Sequence, residues 1–327
     1  MTLLLSRTDV ADLLPMDACI EAVERAFRLH GEGRADPPGV LSLHARDGSF
    51  HVKAGVLDLG RRYFAAKTNA NFSGNPERFG LPTIQGVLLL ADAERGTPLA
   101  LMDSAEITAL RTGAATAVAA LYLARPDAAV VTVCGCGTQG RAQLRALAVV
   151  RAVTRTYAVD RDSTRAAVFA REMSKVLGIE VVAQDDLDAA VRASDICVTC
   201  TPSRRSILGP ASVKAGTFVA AVGADNEVKQ ELDPALMASS VVVVDVLEQA
   251  VSIGDLHHAL AAGIMTAGDV RAELGQVVAG LRPGRLSDDE IVIFDSTGMA
   301  LEDVAAAAVV YERAVRDGRG LEVNLAA

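Results

Sequence analysis

The spacing of apolar residues changes along the first third of the chain. In residues 6–31, Ile20, Val23 and Phe27 recur at spacings of three and four, which predicts helix. In residues 40–101 the period falls to two, with breaks at Gly, Asn and Pro, which predicts a largely antiparallel sheet. Its expected strands are VLSLHA, FHVKAG, YFAAKT, QGVLLLAD and PLALMD.

Strands and helices alternate from Ala128 onward, which is typical of a parallel α/β sheet. The expected strands are AAVVTVC, TRTYAV, IEVVA, DICVTC, TFVAAV and SSVVVVDV, with IVIFD as a late one. An alanine-rich helix is expected at 107–123 and a closing helix from 299 to about 316. We therefore expect a parallel-sheet domain, residues 121–302, inserted into a smaller antiparallel α+β domain, residues 1–120 with 303–327.

Composition narrows the classes of function. The chain has 327 residues, of which 50% are hydrophobic and 22% charged, as in globular proteins of about two domains. Its net charge of −9 and lack of a Lys/Arg cluster argue against a nucleic-acid partner. No uncharged apolar stretch approaches the ~18–20 residues of a membrane span. The apolar segment of MTLLLSRTDV is too short for a signal peptide. We expect a cytoplasmic protein with no membrane partner.

The spacing of the cysteines and histidines does not indicate a metal-binding site. The five cysteines are an odd number without disulfide-framework spacing. Cys197 and Cys200 form a C-x-x-C pair, but they lie in an apolar strand pattern, where positions three apart face opposite sides. The five histidines show no ligand spacing either. We expect packing roles for the cysteines and no metal.

The clearest motif is GCGTQG, which contains Gly135, Gly137, Thr138, Gln139 and Gly140. It follows the strand AAVVTVC and opens the helix QGRAQLRAL, which is the context of a dinucleotide-binding loop. The helix N-terminus offers unpaired N–H groups and a positive dipole end to a pyrophosphate. The motif therefore predicts a Rossmann-type domain.

Asp160 ends the second strand of that domain, twenty residues after Gly140. A carboxylate there accepts hydrogen bonds from the adenosine ribose and repels a 2′-phosphate, which predicts NAD. Arg161 follows directly and is able to hold a 2′-phosphate, so NADP stays open as the alternative.

Several longer segments carry a resemblance that covers nearly the whole chain. They are YFAAKTNANF, GLPTIQG…ALRTGAAT, VCGCGTQGRAQL, VTCTPS, VGADNEVKQELDP and FDSTGMALEDVAAAA. In these segments the chain resembles the ornithine cyclodeaminase/mu-crystallin family. The resemblance implies a nicotinamide cofactor, an amino-acid or imino-acid substrate, and a homodimer formed by the antiparallel domain.

The resemblance also implies roles for individual residues. Asp225 in VGADN matches the catalytic acid/base, and Lys67 and Arg111 match residues that meet the substrate. We therefore expect Asp225 and Lys67 to be catalytic. The positions expected to contact the cofactor, besides the glycine motif and its acid, are Thr83, Arg111, Thr199, Thr201, Pro202, Val222, Lys229 and Ser296.

The chemistry of these residue types agrees with those roles. Asp225 follows the strand TFVAAV, beyond a carboxyl end, where open α/β sheets bind ligands. A carboxylate there is suited to stabilise an iminium ion and to move a proton. Lys67 and Arg111 are cations of the kind that bind an α-carboxylate.

The chain departs from the family at the N-terminal substrate segment. Gly39 follows the paired prolines, where many members carry an Arg, and Lys53 is a candidate replacement as carboxylate partner. Ornithine-cyclising members place a Glu near the position of His51, whereas no acid lies between Asp47 and Asp58 here. Ornithine is therefore expected to be a poor substrate.

Three functions remain open from the sequence. The first is an NAD(P)-dependent amino-acid dehydrogenase or ketimine reductase. The second is an ornithine cyclodeaminase that recycles its NAD, and the third is a crystallin-like binding protein with little turnover. Ammonia release from ornithine without net NADH change marks the second. NADH binding without turnover of any imine marks the third.

Overall fold

The computed structural model describes residues 1–325. Packing divides the chain into two units, of which one is Met1–Arg111 with the segment from Met299 onward and the other is Thr112–Gly298. The boundaries expected from the sequence are residues 120 and 303. The first division falls inside a helix, Ser104–Leu123, that continues without a break past Arg111.

The described residues form both strands and helices throughout. The strands are β1 (Thr2–Leu5), β2 (Gly39–Ala45), β3 (Gly48–Asp58), β4 (Arg62–Asn71), β5 (Ile84–Asp92), β6 (Pro98–Asp103), β7 (Val130–Cys134), β8 (Arg155–Val159), β9 (Glu180–Ala183), β10 (Ile196–Thr199), β11 (Arg204–Leu208), β12 (Phe218–Ala221), β13 (Gln230–Leu232), β14 (Val241–Val244), β15 (Ala272–Glu273), β16 (Val292–Asp295) and β17 (Leu321–Val323). The α-helices are α1 (Arg7–Leu13), α2 (Met16–Gly31), α3 (Asn75–Phe79), α4 (Ser104–Leu123), α5 (Thr138–Val150), α6 (Ser163–Leu177), α7 (Leu187–Ala193), α8 (Pro234–Ala238), α9 (Leu247–Ala250), α10 (Asp255–Ala261), α11 (Leu274–Val278) and α12 (Ala300–Asp317).

The first unit contains a seven-stranded sheet in the order β17-β1-β6-β5-β4-β3-β2. Its neighbours are antiparallel except β1 and β6, which run parallel. The five strands expected from alternation are all present. Strands β1 and β17 were missed, because segments of four and three residues are too short to show a period of two.

Strand alternation gives this sheet two chemically different faces. Leu43 pairs with Phe50 across β2 and β3, and Leu41 lies two residues away on the same face; all three are exposed. The opposite face carries Lys53 and Lys67, which pair across β3 and β4. Helix α12 packs against this second face, where Lys67 is buried and Lys53 is partly buried.

The second unit contains an eight-stranded sheet in the order β15-β14-β16-β12-β10-β7-β8-β9. Every pair in it is parallel, and the central strands β10, β12 and β16 are buried at all positions. Such strands are continuous apolar runs because helices cover both faces of a parallel sheet. The chain leaves β7 toward β8 on one side and returns to β10 on the other. That reversal is a topological switch point, where open α/β sheets bind ligands.

The predicted fold class, a Rossmann-type parallel sheet with a smaller antiparallel α+β domain, is confirmed. No helix within residues 1–325 combines the length and the apolar character needed to cross a bilayer.

Candidate functional site

The glycine-rich loop leaves β7 at the switch point and leads directly into α5. Gly135 has a φ of +107°, and a Cβ there would lie 2.7 Å from the carbonyl oxygen of Cys200. A Cβ on Gly140 would collide with the carbonyl oxygen of Gly135, so only glycine lets α5 approach its strand this closely. The space beside Gly137 is open to 4 Å. Helix α5 begins at Thr138 without a capping side chain, which leaves its N–H groups available to a phosphate.

Asp160 follows β8 and is tied to this loop. Its Oδ2 accepts the N–H of Cys136 at 2.9 Å, and its Oδ1 accepts the N–H of Asp162 at 3.0 Å. These bonds hold the carboxylate beside the glycine loop, at the position from which a ribose hydroxyl is bound in this fold.

A cavity of about 360 Å³ lies beside the loop. The predicted cofactor residues on its wall are Gly135, Asp160, Arg161, Thr201 and Pro202. A second arginine, Arg165, also lines it and was not predicted.

The glycine loop and its surroundings fit a dinucleotide. Near the start of α5, the amide oxygen of Gln139 is buried without a hydrogen-bond partner among residues 1–325. The open space at Gly137 and the uncapped N–H groups of α5 suit a phosphate, and the orphaned amide oxygen suits a donor such as a hydroxyl of the same ligand.

Other predicted cofactor residues lie at strand ends but not on the wall of this cavity. Thr199, Val222 and Ser296 are buried where β10, β12 and β16 end. Val222 and Ser296 use their N–H groups to continue the sheet, donating to the carbonyl oxygens of Thr199 and Ala221 at 2.9 Å each. Thr83, a partly exposed residue, lies just before β5 in the first unit.

Asp225 lies in the loop after β12, at a carboxyl end as expected. Its side chain is half exposed, and its Oδ1 lies 2.7 Å from the Nζ of Lys229. Asn226 shapes the intervening turn by accepting the N–H groups of Val228 and Lys229 at 3.1 Å each. The turn therefore brings the predicted acid/base and a predicted cofactor residue into one ion pair.

A buried cluster of charges forms in the first unit. The Nζ of Lys67 lies 2.8 and 2.7 Å from the two carboxylate oxygens of Asp303. Arg111 donates from Nε to Asp303 at 3.0 Å and from Nη1 to Glu302 at 2.9 Å. All four side chains are at most 7% exposed. Glu302 and Asp303 sit in the first turn of α12, where the helix dipole favours acids.

Burial and neighbouring charges shift the titration of this cluster. Burial, with the nearby charge of Arg111, lowers the pKa of Lys67 to about 7, although Asp303 acts in the opposite direction. Burial acts to raise the pKa of Asp303, but Lys67 and Arg111 outweigh it and hold that pKa below its ordinary value. Lys67 can therefore gain or lose a proton near neutrality while Asp303 stays ionised.

Lys53 and His51 lie on the same face of the sheet as Lys67. Lys53 is directly opposite Lys67, and its charge acts on both Lys67 and Asp303. His51 is two residues earlier, with its ring nitrogens 3.0 and 2.8 Å from the hydroxyls of Ser42 and Ser49. The structure thus places Lys53 beside Lys67, which shares Asp303 with Arg111, and the carboxylate-binding roles of the three stay predictions.

Sequence reasoning missed the acids that organise both units. Asp303 and Glu302 are two acids in an otherwise apolar, alanine-rich segment, a signal of buried and therefore paired carboxylates. In the second unit the wholly buried acids are Glu231, Asp245, Asp255 and Asp295. Asp245 directly follows the apolar strand β14, and Asp295 is the last residue of the apolar strand β16. An acid at the end of an apolar strand is the sequence signal that could have identified these two.

Comparison with known proteins places the chain among amino-acid and imino-acid enzymes. Residues 1–318 match the model of the ornithine cyclodeaminase/mu-crystallin family. Alanine dehydrogenase from Archaeoglobus fulgidus is 40% identical over 99% of this chain and 98% of its own length. The predicted family is therefore confirmed, and so is the expectation of an enzyme.

Solved structures agree with that assignment. A dimeric archaeal alanine dehydrogenase with bound NAD matches 99% of both chains with a TM-score of 0.95 and 40% identity. The Δ1-pyrroline-2-carboxylate reductase of Thermococcus litoralis, in complex with NADH and L-proline, matches 98% of this chain and all of its own, with a TM-score of 0.94 and 35% identity. A lysine cyclodeaminase structure matches 99% of this chain and 95% of its own, with a TM-score of 0.85 and 30% identity.

Proposed function

This chain belongs to the ornithine cyclodeaminase/mu-crystallin family, and on that premise we propose that it is an NAD-dependent oxidoreductase of small imino and amino acids. It would reduce an acyclic or cyclic imino acid to the amino acid, or run the reverse oxidation. The observation that carries the proposal is the buried pair Lys67 and Arg111, fixed by Asp303 and Glu302. A lysine and an arginine held in place in this way are suited to bind an α-carboxylate.

In the proposed reaction, different residues bind the substrate carboxylate and move the proton. A bound nicotinamide supplies the hydride to the α-carbon in reduction and accepts it in oxidation. Lys67 and Arg111, with Lys53 beside them, hold the substrate carboxylate. Asp225 gives a proton to the imine nitrogen in reduction and takes one from the amine in oxidation. The names of two relatives, alanine dehydrogenase and pyrroline-2-carboxylate reductase, support substrates of this size.

Diamino acids are the alternative substrates, since a lysine cyclodeaminase is among the relatives. Such a substrate carries a second ammonium group, which is costly to bury without an acid. On the sheet face that bears Lys67, the nearest features along β3 are the charge of Lys53 and the serine-bound His51. A positive charge there opposes a distal ammonium, so the reductase is favoured over the cyclodeaminase.

We also propose that the protein is a homodimer formed through the exposed face of the first-unit sheet. Leu41, Leu43, Phe50 and Val87 expose 40–54% of their surfaces on that face. An apolar patch of this kind commonly marks a protein interface. A second copy is the favoured occupant because the archaeal alanine dehydrogenase is a dimer.

A screen of NADH consumption tests the proposed activity. The substrates are pyruvate with ammonia, pyrroline-2-carboxylate and piperideine-2-carboxylate, each with NADH. We expect turnover with at least one of them. NADH binding without turnover on any imine would support a crystallin-like binding protein instead.

A further inference from the structure

Glu231 is a wholly buried carboxylate that joins two loops of the second unit. It lies on the short strand β13, and its Oε1 accepts both the N–H and the hydroxyl of Thr201, at 2.6 and 2.7 Å. Its Oε2 accepts the N–H of Gly223 at 2.8 Å. Thr201 follows β10 and Gly223 follows β12, so one side chain fixes the chain beyond two neighbouring strands.

The groups around this carboxylate are closely packed. A Cβ on Gly223 would lie 2.6 Å from the Glu231 Oε1 and would collide with the carbonyl oxygen of Thr201. The two loops therefore touch each other through Gly223, and Glu231 fills the remaining space. Its position depends on glycine at residue 223.

The two loops carry residues of the candidate cofactor and catalytic sites. Thr201 and Pro202 form part of the cavity wall that also includes Gly135 and Asp160. Gly223 lies two residues before Asp225. A substitution of Glu231 would consequently alter both the wall of the dinucleotide cavity and the start of the Asp225 loop.

We propose that Glu231 is a positioning residue whose ionised carboxylate holds the Thr201 and Gly223 loops in the geometry that receives the dinucleotide. The inference rests on the proposed function, because it presupposes a nicotinamide cofactor in this cavity. Three donors converge on the carboxylate, so every hydrogen bond described above needs an acceptor. A proton on Oε1 would displace one of the two Thr201 hydrogen bonds, and a proton on Oε2 would remove the charge that strengthens all three bonds.

This arrangement makes cofactor binding sensitive to pH. Burial, with the nearby carboxylate of Asp255, raises the pKa of Glu231 to about 7. The other titratable groups that face it are the thiols of Cys134, Cys197 and Cys200, whose pKa values burial raises, so they remain neutral. Burial also raises the pKa of Asp255, to about 6. Cofactor affinity is therefore complete above about pH 7 and declines below it, as Glu231 takes up a proton.

The test is calorimetric titration of the whole protein with NADH at several pH values between about pH 6 and about pH 8. For the wild type we expect the dissociation constant to rise below about pH 7, by up to about tenfold per pH unit. Glu231→Gln keeps the shape but replaces one acceptor by an amide donor. It should bind NADH about tenfold more weakly at pH 8 and show no such pH dependence. Glu227→Gln, an exposed acid in the same segment, is the matched control and should behave as wild type.

Each outcome of the titration decides the matter. Wild-type affinity and pH profile in Glu231→Gln would overturn the inference while leaving the proposed function intact. If the wild type binds neither NADH nor NAD, the proposed function fails, and the inference with it. If Glu231→Gln does not fold, the wild-type profile decides together with Asp255→Asn, which removes the nearby carboxylate that helps to raise the pKa of Glu231. A flat wild-type profile, or the same profile in Asp255→Asn as in the wild type, overturns the inference, and a decline that moves to lower pH in Asp255→Asn supports it.

Discussion

At the scale of residues, buried ionisable side chains form the proposed substrate-binding cluster. Lys67 and Asp303 lie on segments far apart in the sequence and meet at 2.7 Å with almost no exposure. Removing one partner of such a pair leaves a buried charge uncompensated, which commonly costs 3–5 kcal/mol. Removing either partner is therefore expected to destabilise the fold and to change the protonation of the other.

Carboxylate binding should follow the protonation of Lys67. The protonated lysine attracts a carboxylate, and its pKa lies at about 7. The affinity for pyrrole-2-carboxylate, a planar carboxylate analogue, should therefore fall as pH rises above about 7, by up to about tenfold per unit. Inhibition constants measured against pH test this.

The matched variant is Lys67→Arg, which keeps a positive charge throughout this range. Its inhibition constant should be independent of pH. The same slope in the variant as in the wild type would assign the titration to another group.

Asp225 should act on the chemical step and not on cofactor binding. Asp225→Asn is nearly isosteric but loses the negative charge and the proton-accepting oxygen. We expect kcat to fall at least ~10²-fold while the dissociation constant of NADH changes little. Steady-state kinetics and NADH titration measure the two effects, and near-normal turnover would remove Asp225 from the acid/base role.

At the scale of elements, local periodicity predicts most of the fold. The alternation in residues 40–101 gives the five strands β2 to β6, and the apolar runs after Ala128 give the parallel sheet. Local periodicity does not predict strands β1 and β17, which pair with each other across the two ends of the chain. A pairing of that sequence separation leaves no local pattern.

The candidate site was predictable where function follows a local motif. The glycine loop and Asp160 are such a case, since their spacing reflects one β-α-β unit. Asp303 and Glu231 are the opposite case, because their partners Lys67 and Thr201 are set by packing and not by neighbouring residues. Apolar surroundings in the sequence mark Asp303, whereas Glu231, between Gln230 and Leu232, has no such signal.

The loop after β8 should select NAD over NADP. Asp160 lies beside the glycine loop, but Arg161 and Arg165 line the same cavity. We expect NADH to bind more tightly than NADPH because the carboxylate repels a 2′-phosphate. Asp160→Asn keeps an acceptor for the Cys136 N–H and removes the negative charge. The dissociation constants of NADH and NADPH should therefore differ less in this variant than in the wild type. Tighter NADPH binding by the wild type, lost in Arg161→Ala, would mean that the arginine governs selection.

At the scale of the whole molecule, the proposed dimer explains an apolar sheet face that would otherwise meet water. Leu43→Asp places a charge on that face, where burying it against a second copy is costly. Light scattering after size exclusion should show a dimer for the wild type and a monomer for this variant. Leu281→Asp, at an exposed leucine of the second unit, should remain dimeric. A monomeric wild type would contradict the proposal.

One ratio distinguishes a reductase from a cyclodeaminase. The measurement is kcat/KM for pyrroline-2-carboxylate reduction with NADH against kcat/KM for ornithine cyclisation with NAD. A planar imino carboxylate needs only the cations Lys53, Lys67 and Arg111 and the proton of Asp225, whereas ornithine brings a second ammonium toward Lys53. We predict the larger value for pyrroline-2-carboxylate. A larger value for ornithine would contradict the proposed reductase activity and show that an acid elsewhere receives the distal ammonium.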